Sequence, residues 1–317
     1  VVHEALKHGV NLETSSTFDI DLIQELHGKG ILPNGLTVIH NGYKSEKYLS
    51  KIMDLQDLGL TRSIIVIDSR LEYQRLLTIL GDRKVKIGLR MAIDEEAQSA
   101  YYTSRFGIPP GKMVAFYEEE IAKNAQVELE MFHFFVDSGI RDSMYYWGEF
   151  QKAIQHFVAL KKRCPSLTCL NLGGGFPIQN HLRFDYNYES IINEIVGAVM
   201  TTCRDEAIDP PDLYTEFGKF TVGESGAIIF KILEKKQQND SELWYLVDNS
   251  IMNTIPDAWS IHEKFILLPL NKWDQNYTRV NLGGISCDHS DYYNSEDFNQ
   301  QILLPEFNEE DEEPLYV

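Results

Sequence analysis

Positive charge is scarce in this sequence. Its 317 residues carry 29 Lys and Arg against 48 Asp and Glu, a net charge of −19. A surface of that sign repels phosphate backbones and anionic headgroups, so no nucleic-acid or membrane partner is expected. It suits a cationic small molecule, and acidity kept for solubility explains it equally well. Cysteine is scarce too. Cys164, Cys169, Cys203 and Cys287 have neither zinc-site spacing nor the density of a disulfide scaffold, so reduced thiols in a cytoplasm are expected. No apolar run approaches the roughly 20 residues that a membrane-spanning helix needs. There is no cleavable signal pattern and no internal repeat. The first residues, VVHEALKHG, read as the inside of an amphipathic helix with no Met and no cap. The last, EPLYV, read as a strand-like fragment after the acidic, solvated loop FNEEDEE. The chain is therefore read as a fragment of a longer one.

What the sequence does contain is alternation. Apolar, β-branched runs fall at 10–14, 36–40, 63–68, 85–91, 129–135, 167–172 and 212–217. Helical patterns lie between them, at 45–58, 70–80, 109–125 (Pro in the first turn), 143–163 and 188–204. Strand and helix in turn are the mark of parallel βα units. Eight such units close a (β/α)₈ barrel. Seven are present, so the expectation is an α/β, TIM-type barrel over residues 1–223 whose first strand lies upstream of Val1. An open doubly wound sheet is the alternative. After Gly223 the pattern changes. AIIFKILEKK, ELWYLVDNSI, FILLPL, TRVNLGGI and QQILLP are strand-like with turns between them, which predicts a β-rich domain over residues 224–317.

The most informative stretch is LTCLNLGGGFP, residues 167–177. Three glycines end a strand, and without Cβ atoms they let backbone approach a ligand closely. Their N–H groups can form a nest for phosphate. A plain tight turn is the other reading. On the barrel numbering this is the loop after strand seven, and Lys219 follows strand eight, where barrel phosphate sites often form. The other strand ends are polar: Glu13-Thr14-Ser15-Ser16, His40-Asn41-Gly42-Tyr43-Lys44, Asp68-Ser69, Arg90 and Asp137-Ser138-Gly139. Glu216 ends a buried strand and needs a partner there. A protonated ring nitrogen would serve, and so would a structural Lys or Arg. Cys287 alone reads as a small buried hydrophobe.

These stretches resemble, in order along the chain, the motifs of the fold-type III pyridoxal-phosphate decarboxylases. That family of ornithine, diaminopimelate and arginine decarboxylases is built on an alanine-racemase-like barrel. NLETSS is similar to its Leu-Glu-Ala-Gly-Ser turn, IHNGYKSEKY to Cys-Asn-Gly-Tyr-Lys, and SRFGI to Lys-Phe-Gly-Leu. FHFFVDSG resembles His-Phe-His-Leu-Gly-Ser, LNLGGGFP the phosphate-binding glycines, and TEFGK the Glu-Ser-Gly-Arg motif. NTIPDAWSI and GGISCDHSD resemble Ser-Leu-Pro-Asp-Ala-Trp-Gly-Ile and Leu-Thr-Cys-Asp-Ser-Asp, which point to the biosynthetic arginine branch.

The resemblance implies a homodimeric enzyme that uses pyridoxal 5′-phosphate to decarboxylate arginine to agmatine, a step of polyamine biosynthesis. It assigns the cofactor phosphate to Gly173, Gly174, Gly175, Ser138 and Lys219. Glu216 would bond the pyridine nitrogen, and Phe135 would face the ring. Cys287 would enter the partner's site and protonate the α-carbon. Asp257 and Asp288 would take the distal cation of the substrate. Alternatives are a related substrate (ornithine, diaminopimelate or carboxyspermidine) or a decarboxylase-like protein that binds without catalysis. The chain departs from the family pattern in four ways. Phe135 replaces the ring-stacking His, leaving His133 as a lone imidazole of structural type. Lys219 replaces an Arg, so a point charge stands for a bidentate fork. The lysine that tethers the cofactor would lie on the upstream strand. A phosphate-contacting Tyr would lie beyond Val317. Lys44 is no substitute for the tether, because the family has a Lys there as well.

Overall fold

Seven short parallel strands form the first sheet, each pairing with the next in sequence: β1 (Leu12–Thr14), β2 (Thr37–His40), β3 (Arg62–Ile67), β4 (Val85–Arg90), β5 (Val127–His133), β6 (Cys169–Asn171) and β7 (Asp212–Tyr214). The computed structural model describes residues 1–59, 62–95, 102–141, 143–294, 302–308 and 310–317. Connecting helices start on side-chain caps. Ser45, Ser69, Ser143 and Asn187 each accept a hydrogen bond from a backbone N–H three residues on, which satisfies one of the four amides a helix start leaves open. The expected helix at 109–125 is a composite: a 3₁₀ turn (Pro110–Lys112), an α turn (Met113–Phe116) and a wider π turn (Tyr117–Ile121). A helix at Thr17–Gly28 was not expected. Its signal was there in Ser16 and Asp19, whose carboxylate accepts from the Ser16 N–H at 2.8 Å, a capping box.

The sheet is rolled. Strands lie about 4.8 Å apart, so in a flat sheet the ends of β2 and β7 would be separated by about 24 Å. Instead Asn41, just after β2, donates to Glu216, just after β7, at 2.8 Å. Arg62, which opens β3, likewise reaches the hydroxyl of Tyr214, which closes β7, at 3.3 Å. Inside the roll, Ile39, Ile64, Val66, Met131 and Cys169 form one buried cluster. Helices cover the outer face, which is why β2 and β3 are buried almost throughout. The outer edges of β1 and β7 flank a cavity of about 800 Å³. No described helix is long and apolar enough to cross a membrane.

The chain divides into two compact units, residues 1–177 with 187–225, and residues 178–186 with 226–317. The break therefore falls two residues beyond the change of pattern at Gly223, and a short loop from the first half joins the second unit. In that unit β8 (Ile232–Asn239) and β9 (Glu242–Val247) form an antiparallel hairpin. β10 (Tyr277–Gly283) runs parallel to β9, and β11 (Tyr292–Tyr293) and β12 (Ile302–Pro305) pair antiparallel with β10. Gln300 and Gln301 of the expected strand QQILLP lie outside the described residues. The expected strand FILLPL is not one. Phe265 and Leu267 pack on the β core, but the run joins no ladder, and the Leu270 N–H goes to the Tyr316 carbonyl at 2.9 Å. NTIPDAWSI forms two short helices, Ile251–Thr254 and Asp257–Ser260.

One carboxylate ties two loops of this unit together. Asp291 is buried and accepts from the Met252 N–H at 3.0 Å, the Ser286 N–H at 3.0 Å and the Ser250 hydroxyl at 3.2 Å. NTIPDAWSI and GGISCDHSD are thereby held side by side. Asp291→Ala leaves two backbone amides without their acceptor and should cost about 3 kcal/mol. Urea unfolding would read this, and a loss under about 1 kcal/mol would contradict the clamp.

Candidate cofactor site

The carboxyl ends of six of the seven strands, all but β3, line a cavity of about 550 Å³. Its wall includes Glu13 within β1 and Ser15 just after it, Asn41 and Gly42 after β2, Arg90 ending β4, His133 ending β5, then Phe135, Gly174 and Glu216. Ladder pairing stops at His133, Asn171 and Tyr214. Phe135, the glycines and Glu216 therefore sit on loops that a rigid strand presents, as in barrel sites generally.

Glu216 is the electrostatic centre. Its Oε1 accepts from Asn41 Nδ2 and from Asn171 Nδ2, each at 2.8 Å. Its Oε2 lies 3.4 Å from His133 Nε2. Burial alone would push this carboxyl up, but the His133 imidazole and the amide hydrogen bonds outweigh it and hold it at about 2. Glu216 is thus a half-buried anion on the cavity wall, anchored through Oε1, with Oε2 less engaged. His133, read from sequence as structural, belongs to this cluster.

Glu13 behaves in the opposite way. Water reaches its surface, yet protein surrounds most of it. That burial and the neighbouring Glu216 push its carboxyl up to about 7. A raised carboxyl favours the folded state while protonated, so this contribution falls as pH rises from 4.5 towards 7. Glu13→Gln removes the penalty. It should raise stability at pH 8 by about 1 kcal/mol, after discounting for the side chain's exposure. At pH 4 it should change nothing. Thermal unfolding at the two pH values reads this, and an equal shift at both would refute it.

The glycines have a packing reason of their own. Gly175 has φ +86°, and a Cβ there would lie 2.5 Å from Gly139 Cα. A Cβ on Gly139, φ +83°, would lie 2.4 Å from the Gly175 carbonyl oxygen. The two loops touch backbone to backbone, and the Ile140 N–H closes the contact on the Gly175 carbonyl at 2.9 Å. Among the described residues the N–H groups of Gly174 and Gly175 have no hydrogen-bond partner. Ser138 is half-buried beside Gly139. Arg90 lies over two aromatic faces, 5.3 Å from the Phe106 ring and 5.5 Å from the Phe135 ring, so Phe135 is pinned by a cation.

These residues suit an anionic aromatic ligand with a basic ring nitrogen. Glu216 can accept from a protonated ring, and Phe135 offers a face. Gly174 in the cavity wall and Gly175, exposed next to it, carry open N–H groups. Among the described residues Asn41 Oδ1 and His133 Nδ1 are buried polar atoms without partners, as expected of a wall completed by a ligand. Pyridoxal phosphate has that chemistry.

The other sequence-predicted residues lie elsewhere. Lys219 is exposed in a short helix, Gly218–Val222, and is not part of the cavity wall. Lys44 is buried and turned onto the Gly42 carbonyl at 2.7 Å and Glu72 at 3.1 Å, which removes it as a tether. Asp257, Cys287 and Asp288 belong to the second unit, and all three are exposed there. Asp288 caps its own loop, accepting from the Ser290 N–H at 2.8 Å.

A rolled parallel β/α sheet with an anchored acidic group at its carboxyl mouth, joined to a β unit, defines a barrel-type cofactor-binding protein. Residues 1–223 match the pyridoxal binding domain of the pyridoxal-dependent decarboxylases, and the chain belongs to that family. It is 25% identical over 260 residues to a biosynthetic arginine decarboxylase of Prochlorococcus marinus, covering 75% of this chain and 40% of that protein. A biosynthetic arginine decarboxylase 2 of Synechocystis is 25% identical over 242 residues, 71% of this chain and 36% of that protein. The chain thus spans about 40% of the length of the first of these curated relatives. Among solved structures, diaminopimelate decarboxylase from Helicobacter pylori with L-lysine superimposes with a TM-score of 0.77 at 20% identity, over 99% of this chain and 74% of that one. The biosynthetic arginine decarboxylase from Campylobacter jejuni gives 0.76 at 18% identity, over 98% and 64%. At those identities the structures speak for the fold.

Proposed function

We propose that the full-length protein is a pyridoxal-phosphate-dependent decarboxylase that converts arginine to agmatine and carbon dioxide. The observation that carries this reading is Glu216, an anion held by three donors at the mouth of the barrel. When bound, the cofactor supplies an electron sink for the pair left behind by carbon dioxide. The protein's part is to keep that sink strong. Glu216 holds the ring nitrogen protonated, Phe135 covers one ring face, and Gly174 and Gly175 donate to the phosphate with Ser138. Gly173 sets the turn, and Lys219 adds positive charge from outside the wall. Asp257 and Asp288 bind the guanidinium, Cys287 delivers a proton to the α-carbon, and the site is shared between the subunits of a homodimer. The arginine branch is supported by the curated relatives and by the loops that carry Asp257 and Asp288.

Carbon dioxide release by the full-length protein should be compared across arginine, ornithine, lysine and diaminopimelate. Arginine should exceed the others by at least about tenfold, the discrimination that one lost charge-assisted hydrogen bond produces. Equal release, or none from arginine, would remove the substrate assignment. Asp288→Ala should raise the KM for arginine about tenfold and leave kcat nearly unchanged. Replacement of the family's His by Phe135 leaves one wall without a proton donor and favours a second reading, cofactor binding without turnover. Absence of release from all four amino acids would support that reading.

A further inference from the structure

Asn171 closes β6 and is fully buried. Its Oδ1 accepts from the Gly173 N–H at 2.9 Å, and its Nδ2 donates to Glu216 Oε1 at 2.8 Å. Its Nδ2 also lies 3.6 Å from the Met131 sulfur, so the amide has a partner at each end. The orientation follows from chemistry. A backbone N–H can only donate, so the end facing Gly173 must be oxygen, and the amino group then faces the carboxylate. The backbone repeats the link, since the Glu216 N–H donates to the Gly173 carbonyl at 2.9 Å.

We propose that Asn171 is a positioning residue that couples the two ends of the cofactor site, setting the glycine turn through Oδ1 and the ring-binding carboxylate through Nδ2. This rests on the reading of Glu216 and the glycines as cofactor ligands. The position requires a neutral group that accepts on one side and donates on the other. Asp has the right shape, but it would set a carboxylate against a carboxylate. Ala would leave both partners unmet. Ser could meet only the nearer one. The coupling makes ring recognition and phosphate recognition one event: a shift of Glu216 moves the turn whose N–H groups face the phosphate, and the reverse.

Pyridoxine 5′-phosphate carries the ring and the phosphate but no aldehyde, so its binding reports these contacts without any tether. It should be titrated by fluorescence into the full-length protein and into N171A, N171D, E216A and the N171A/E216A double variant, with inorganic phosphate as competitor. Asn171→Ala should weaken binding about tenfold, the loss expected of a hydrogen bond to a charged group. Asn171→Asp should be worse than Ala although it is isosteric, whereas a packing role would leave Asp nearest to the wild type. In the E216A background the loss from N171A should shrink, and inorganic phosphate should compete less well against N171A than against the wild type. Should N171D not fold, Asn171→Ser keeps the acceptor alone and should retain phosphate competition while losing ring affinity. Wild-type affinity in N171D or N171S, or strictly additive losses in the double variant, would overturn the inference. Unchanged binding in E216A, or no binding by the wild type, would instead overturn the cofactor reading on which it rests.

Discussion

Replacing Glu216 by Ala in the full-length protein should lower arginine decarboxylation by about a thousandfold, the scale on which removing one preorganised electrostatic group from an active site acts. The reason lies in its surroundings. Two amides share Oε1 at 2.8 Å, so the carboxylate is fixed in place and charged before any ligand arrives. The amide hydrogen bonds and the His133 imidazole hold its carboxyl well below the usual range although burial opposes ionisation, which favours the anion at neutral pH. Without that anion a ring nitrogen in the cavity would lose its proton and with it the pull on the electrons of the α-carbon. Glu216→Gln should fare little better, because an amide in its place cannot hold the proton on the ring. Steady-state carbon dioxide release reads the effect, and a loss below about tenfold would assign Glu216 a structural role.

The second large effect concerns stability. Lys44→Met should cost about 3–5 kcal/mol, the usual penalty for removing one partner of a buried ion pair. Lys44 and Glu72 face each other at 3.1 Å with side-chain exposures of 1% and 0%. Burial lowers the Lys44 ammonium and pushes Glu72 up to about 7, and the pair offsets part of both shifts. Lys44 also ties down the Gly42 carbonyl, next to Asn41, so the pair braces the loop that reaches Glu216. The double variant K44M/E72L should recover part of the loss: it leaves no charge stranded, but the Lys44 and Asp68 N–H groups lose the Glu72 carboxylate that accepts from them. Urea unfolding of the three proteins decides this. Equal stability of K44M and wild type, or no recovery in the double variant, would contradict the ion-pair account.

Sequence patterning carried the fold where burial is uniform. β2 and β3 are buried on both faces, so their apolar runs stand out, and the Ser and Asn caps mark the helices that follow. It was weaker where structure rests on a few polar atoms. The helix at Thr17–Gly28 begins on an Asp19 bond rather than on a strong apolar period. FILLPL has strand composition, but among the described residues it joins no ladder and makes a single backbone-to-backbone bond, from Leu270 to Tyr316. In the candidate site, Glu216 and the glycines were legible because their motifs are contiguous. Asn41 and Asn171 were not, since their bonds to Glu216 span 175 and 45 residues and depend on how far the sheet rolls. His133 looked structural as a lone imidazole, and only the arrival of Glu216 beside it gives it a role. The glycine turn was legible as a turn, but its contact with Gly139 lies in the third dimension.

On this reading the barrel mouth is the cofactor-binding part of a decarboxylase. Borohydride reduction of full-length protein incubated with pyridoxal phosphate, followed by intact-mass analysis, tests it most directly. The account predicts one pyridoxyl phosphate group trapped per chain, on a lysine other than Lys44, with trapping sharply reduced in Glu216→Ala. No trapped group, or one attached to Lys44, would contradict it.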